Sequence, residues 1–159
     1  MDDPMPCYAD QATTERINLV FEYAFDSPYK YALPQLDLRL IDGPFELFGV
    51  RVEPIEVLHG RLPVQGFRLG DFAYVTDCSR IPETSMSQLT GLDTLVLDAL
   101  RHKEHPTHFN IAQALDVVER LRPRMTYFTH IAHELDHDET NRSLPDHTQL
   151  AYDGQILKL

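Results

Sequence analysis

Cysteine is scarce in this sequence: only Cys7 and Cys78 occur, and they lack CxxC spacing. A disulfide framework and a thiolate zinc site are excluded on that ground. Positive charge is also short, with 14 Lys and Arg against 25 Asp and Glu and a formal net charge of -11. A broad grip on nucleic acid needs a basic face, so no nucleic-acid partner is expected. No apolar stretch is long enough to span a bilayer, and Met1-Asp2-Asp3-Pro4 offers neither a basic region nor an apolar run. No membrane role follows, and a cytoplasmic location is expected. Repeats, low-complexity tracts and a linker are missing too, so residues 1–159 read as one domain. A chain of that size can bury roughly 70% of its unfolded surface.

Residues 1 to 9 read as an irregular lead-in. Asp10 or Thr13 can cap a helix running to about Tyr23, with Ile17, Val20, Phe21 and Ala24 on one face. Asp26 to Pro34 is a loop with two prolines. From Leu36 to Phe72, apolar and polar residues alternate between Gly and Asp punctuation, the pattern of an antiparallel meander. It includes a strand from Glu53 to Leu58, ending at His59-Gly60, and a hairpin from Val64 to Tyr74 turning at Gly70-Asp71. The run from Phe72 to Thr76 ends at Asp77. A short helix over Ser85 to Leu89, a buried strand over Thr94 to Ala99, a helix capped by Asn110 and a strand over Met125 to Thr129 follow. Gln149 to Leu157, turning at Asp153-Gly154, predicts a closing hairpin. A meander followed by strand, helix and strand indicates a layered α/β domain with a mixed sheet.

The polar residues carry the functional signal. His133-Glu134-Leu135-Asp136-His137 matches the His-Glu-x-x-His pattern that presents two imidazoles to zinc from one helix face. Its context is wrong for a protease. Asp136 lies between the histidines, Asp138-Glu139 follow, and the aromatic, β-branched Tyr127-Phe128-Thr129 precedes. His130 instead stands at the end of a strand. Alone it reads as a hydrogen-bonded structural histidine, just as Asp77 alone could cap a turn and His59 could sit in a loop. Together they are three potential metal ligands, each just past the C-terminal end of an apolar strand, which can converge on one point. His105 and His108 bring two more imidazoles just before a helix.

These residues resemble a known family. Glu53 to Gly60, Gly66 to Asp77, Leu97 to Arg101, His105 to Phe109, Thr129 to His133 and Ala151 to Gly154 are similar, in order, to the metallo-β-lactamase superfamily. Within it the resemblance is to the phosphonate-pathway cyclic-phosphoribosyl phosphodiesterase branch, over about Tyr8 to the C-terminus. The resemblance implies an αββα sandwich with two divalent metal ions, zinc or manganese, at the sheet edge. His59 would bind one ion, His130 the other, and Asp77 would bridge them. Attack on a small phosphorylated substrate would come from a metal-bound hydroxide, with His108 as general acid. His105 and His133 would contact phosphate or support the ligands.

The superfamily's His-x-His-x-Asp-His motif has no counterpart here. The reading is therefore of an N-terminally truncated fold, with weakened metal binding, an exposed strand edge, and a homodimer or an N-terminal partner segment to cover it. The function expected is a metal-dependent hydrolase, a phosphodiesterase on a small phosphate ester or cyclic phosphate. A second reading is a non-catalytic subunit acting by association. A third keeps the superfamily and changes the substrate to an ester, a thioester or RNA.

Overall fold

The computed structural model describes residues 4–25 and 36–158, and the chain forms two compact units, residues 1–45 and 46–159. The proline-containing loop expected over 26–34 lies outside the described residues.

In the first unit, β1 (Met5–Ala9) pairs in parallel with β2 (Leu36–Leu40), from Met5 opposite Leu36 to Ala9 opposite Leu40. This corrects two expectations: residues 5–9 are not irregular, and Leu36–Leu40 is not part of an antiparallel meander. Parallel strands need a long crossover, and the intervening residues include α1 (Gln11–Val20) and α2 (Glu22–Phe25). Asp10 caps α1 by accepting from the Thr13 amide at 2.7 Å. The helix ends three residues before the expected Tyr23, and neither α1 nor α2 buries a residue. The stripe from Ile17 to Ala24 is therefore not a core face.

The second unit is built on a seven-stranded mixed sheet whose strand order follows the sequence. The strands are β3 (Phe45–Leu47), β4 (Val50–His59), β5 (Leu62–Leu69), β6 (Phe72–Val75), β7 (Thr94–Asp98), β8 (Met125–Thr129) and β9 (Thr148–Leu150). The meander is real over β4, β5 and β6. Its two-residue turns place Gly60 and Gly70 at positive φ, 65° and 61°, which tight hairpins need. β4 begins at Val50, earlier than the expected Glu53. Pro54 is tolerated inside it because three-residue β3 can pair with only part of its length, leaving positions whose N–H is not required.

From β6 onward the pairings are parallel. The connections are helical: α3 (Glu83–Gln88), α4 (Ile111–Leu121) and α5 (His137–Ser143). Asn110 and Gln113 form a reciprocal capping box at the start of α4, which buries Ile111, Ala114, Val117, Val118 and Leu121. Ile55, Val57, Val75, Leu95, Leu97, Phe128 and Leu150 are almost fully enclosed and form the centre of the core. The predicted closing hairpin does not form. Residues 148–150 pair in parallel with β8, and Ile156 is 86% exposed. Among the described residues, no helix is long and apolar enough to cross a membrane.

Strand direction positions the chemistry. Because β4 and β6 are each antiparallel to β5, they run the same way, and β7, β8 and β9 follow β6. All five therefore end at one edge of the sheet. His59, Asp77, Asp98, His130 and Ala151 sit at or just beyond those ends.

Candidate active site

β5 separates β4 from β6, so a further contact is needed to bring His59 to Asp77. The chain after β6 folds back onto the end of β4: Leu58 N–H donates to Arg80 O at 2.9 Å, and Ser79 N–H donates to Leu58 O at 2.7 Å. Ser79 Oγ accepts from Gly60 N–H at 3.0 Å. Gly60 also lets the loop before α4 approach, since a Cβ there would meet Thr107 Cγ2 at 3.0 Å.

His108 is the centre of the resulting cluster. Its Nε2 lies 3.2 Å from Nε2 of His59, and its ring stacks on His130 with centroids 4.7 Å apart. His105 tilts against it at 5.0 Å. Ligand atoms of His59, Asp77 and His108 lie within 4.8 Å of one another, and Asp77 Oδ1 is 3.7 Å from His130 Nε2. The structure thus brings together His59, Asp77, His105, His108 and His130. It does not do so for His133, which is exposed and, among the described residues, makes no ring contact or hydrogen bond to the cluster.

Asp77 and His130 both adopt left-handed backbone, with φ of 56° and 58°. Non-glycine residues enter that region at a cost of order 1–3 kcal/mol, and such residues concentrate at functional sites.

The fully buried Asp98 supports the cluster from below. Its Oδ2 is 3.2 Å from Nδ1 of His108, and its Oδ1 accepts from Cys78 N–H at 3.3 Å. Burial pushes the Asp98 carboxyl up to about 7, with the nearby Asp77 charge adding to the rise. Burial likewise lowers His108, reinforced by the neighbouring His130, His59 and His105. The Cys78 thiol is driven up by burial, which makes it an inert core residue. Sequence reasoning gave Asp98 no role. The available signal was an acid directly after the apolar run Leu95-Val96-Leu97, comparable to Asp77 just past the end of β6.

Around the cluster, residues 99–101 join two histidine-bearing loops. Ala99 N–H donates to Thr129 O, Leu100 N–H to Phe109 O, and Ala132 N–H to Leu100 O. Arg101 extends the link, donating to Glu104 O at 3.1 Å and to Glu134 Oε1 at 3.5 Å. The His133-to-His137 segment is no zinc helix: α5 starts only at His137, capped by Asp136. His137 itself opens α5. Its imidazole serves the scaffold, with Nε2 donating to Ala151 O at 3.3 Å and Nδ1 accepting from Asn141 at 3.2 Å.

The donor set suits a divalent metal. Imidazoles and a carboxylate are the ligands zinc takes outside thiolate sites, and an imidazole anchored by a buried carboxylate is their usual arrangement. His108 with Asp98 has that form.

Comparison with known proteins identifies the family of this chain. The family model described as a beta-lactamase superfamily domain matches residues 1–131. A crystal structure of a new diphosphatase from the PhnP family is 44% identical, with a TM-score of 0.88, over 96% of this chain and 57% of that one. The metallo-β-lactamase fold protein YhfI from Bacillus subtilis shares the fold at 15% identity and a TM-score of 0.73, covering 94% of this chain and 63% of that one. An octanoyltransferase of Porphyromonas gingivalis is 34% identical over 152 residues, which are 92% of this chain and 31% of that protein. The chain thus spans 57% of the solved diphosphatase and 31% of the octanoyltransferase. By the family match over most of its length and by this structural likeness, the chain belongs to the metallo-β-lactamase superfamily, in its PhnP-like branch.

Proposed function

We propose that this chain acts in metal-dependent hydrolysis of a small phosphodiester or diphosphate. The observation that carries the reading is the convergence of His59, Asp77, His108 and His130 at one sheet edge, with three of them offering ligand atoms within 4.8 Å. The 44% identity to a solved diphosphatase supports phosphorus as the centre attacked.

In this reading His59, Asp77 and His130 would hold the divalent ions, zinc or manganese. Bound there, the ions would supply positive charge to the phosphate oxygens and acidify water. The chain's own residues do the rest. Asp98 fixes the orientation of His108 through Nδ1, leaving Nε2 turned to the cluster, where a proton can pass to the leaving oxygen. His105 stands against His108 at the same edge, in reach of a substrate oxygen. His133 is assigned no contact with substrate.

One observation favours a second reading of His108. Its Nε2 belongs to the same 4.8 Å group as His59 and Asp77, so it would bind metal instead of donating a proton. The His108→Ala variant separates the two. A proton donor leaves metal stoichiometry intact and loses most activity on esters with poor leaving groups. A ligand loses metal as well.

The test of the reading itself is metal analysis of the purified chain, together with turnover of bis-p-nitrophenyl phosphate in zinc or manganese. Metal retention with turnover abolished by Asp77→Ala is expected. A chain that neither holds metal nor turns over the ester is a subunit acting by association, and the hydrolase reading is then wrong.

A further inference from the structure

The loop between β7 and α4 has two halves that are held in different ways. Its second half is tied to the core. Phe109 N–H donates to Cys78 O at 2.8 Å, Leu100 N–H donates to Phe109 O at 2.9 Å, and Ile111 N–H donates to Arg101 O at 3.0 Å. His108, buried there, rests in addition on Asp98. These bonds close the loop at its base.

The first half lacks that support. The side chains of His102, Lys103 and Glu104 are exposed, and the segment belongs to neither helix nor strand. Backbone carbonyls in such a segment need donors from elsewhere. Arg101 supplies them: its Nε donates to Lys103 O at 3.4 Å and its Nη2 to Glu104 O at 3.1 Å. Among the described residues, no other protein group donates to either carbonyl. The third contact, from Nη1 to Glu134 Oε1, is long at 3.5 Å and joins two partly exposed side chains, so it contributes little.

His105 follows directly in the chain. Its Nδ1 accepts from Thr107 N–H at 3.4 Å and lies 3.3 Å from Thr107 Oγ1. An amide N–H can only donate, so Nδ1 is unprotonated and neutral His105 carries its proton on Nε2. A ring fixed in that tautomer is a donor, suited to a substrate oxygen. One side of His105 leads into the core-tied half of the loop, and the other leads into the turn that Arg101 holds.

Resting on the hydrolase reading above, we propose that Arg101 is a positioning residue for His105. By gripping the carbonyls of Lys103 and Glu104 it presents the Nε2–H of His105 to a substrate oxygen, and it does so without acting on His108. The grip needs a fork. Two neighbouring carbonyls are met by two nitrogens of one planar group, which a lysine ammonium does not reproduce.

Ring-nitrogen NMR of the metal-free chain, at about pH 8 where imidazole is neutral, reads this without turnover. In the wild type, Nδ1 of His105 is expected to give the signal of an unprotonated nitrogen. In Arg101→Met the two nitrogens of His105 should average toward a mixture of tautomers, while those of His108 stay in place. Arg101→Lys should give the same change at smaller amplitude, and Glu134→Gln none. With bis-p-nitrophenyl phosphate, Arg101→Met should raise KM at least about fivefold and leave kcat within about twofold, as on losing a contact made equally in the ground and transition states. In a His105→Ala background the same substitution should leave KM unchanged, because its effect passes through that ring. His105 signals unmoved by both Arg101 variants, His108 signals that move with them, or a KM effect that survives His105→Ala would overturn the proposal. Arg101→Lys decides where Arg101→Met does not fold. Absence of turnover in the wild type overturns the hydrolase reading, while the ring nitrogens still decide whether Arg101 positions His105.

Discussion

Nε2 of His59 and Nε2 of His108 meet at 3.2 Å although 49 residues separate them. Two imidazole nitrogens at this distance share either a proton or a cation. Removing either ring should therefore weaken metal binding if both face the same ion. His59→Ala is expected to lower zinc affinity at least about tenfold, measured by competition with a chromogenic chelator. A His59→Ala protein with wild-type affinity would place the metal elsewhere.

Gly60 serves both the turn and the approach of the histidine loop. At φ +65° an L side chain costs about 1–2 kcal/mol, and its Cβ would press on Thr107 Cγ2. Gly60→Ala should lose about that much stability in denaturant unfolding and also loosen the His105-to-His108 loop. Adding Thr107→Ser removes the crowded methyl. It should restore part of the metal affinity without restoring the stability lost to backbone strain.

The strained backbone at His130 predicts opposite effects on folding and function. Asn tolerates the left-handed region better than His does, so His130→Asn should unfold at an equal or slightly higher denaturant concentration. Phosphodiester turnover should nonetheless fall by at least about a hundredfold, as expected on losing a group that binds the reacting centre. A variant that loses stability and activity in parallel would show that the residue is structural.

Asp98 gives a pH dependence with a definite sign. Its folded pKa is pushed up to about 7 by burial, against about 3.9 in an unfolded chain. Between those values the folded protein holds a proton that the unfolded chain has released. Stability from this group is thus complete below about 4 and lost as pH rises through about 7. Asp98→Asn removes the titration. The stability of wild type relative to that variant should fall across this window in the metal-free protein and level off above it, as read from urea midpoints. His108, lowered by burial, contributes the opposite slope to both proteins. A flat difference curve would refute a protonated carboxyl beneath the cluster.

Much of this architecture is local in origin and was legible. The Asn110 cap, the hairpin turn at Gly70-Asp71, and the apolar runs that became β6, β7 and β8 are written in contiguous residues. His59, Asp77 and His130 stood out for the same reason, since each directly follows a run that reads as a strand. The zinc-protease reading of His133 to His137 could be rejected on the neighbouring charges and the preceding strand, and the structure places His133 to Asp136 ahead of α5, which starts at His137.

What the sequence by itself determined is therefore most of the strands and helices from Val50 to Thr129, and which candidate ligands stand at strand ends. Outside the β4 to β6 meander, tertiary structure decided which strands pair, because pairing depends on which faces are buried by distant segments. It set Met5–Ala9 beside Leu36–Leu40, and residues 148–150 parallel to β8 where a hairpin was expected. It also folded Ser79 and Arg80 back onto Leu58, placed Asp98 under His108, and left His133 outside the cluster. Each of these contacts joins residues far apart in the chain, and no local pattern records the partner.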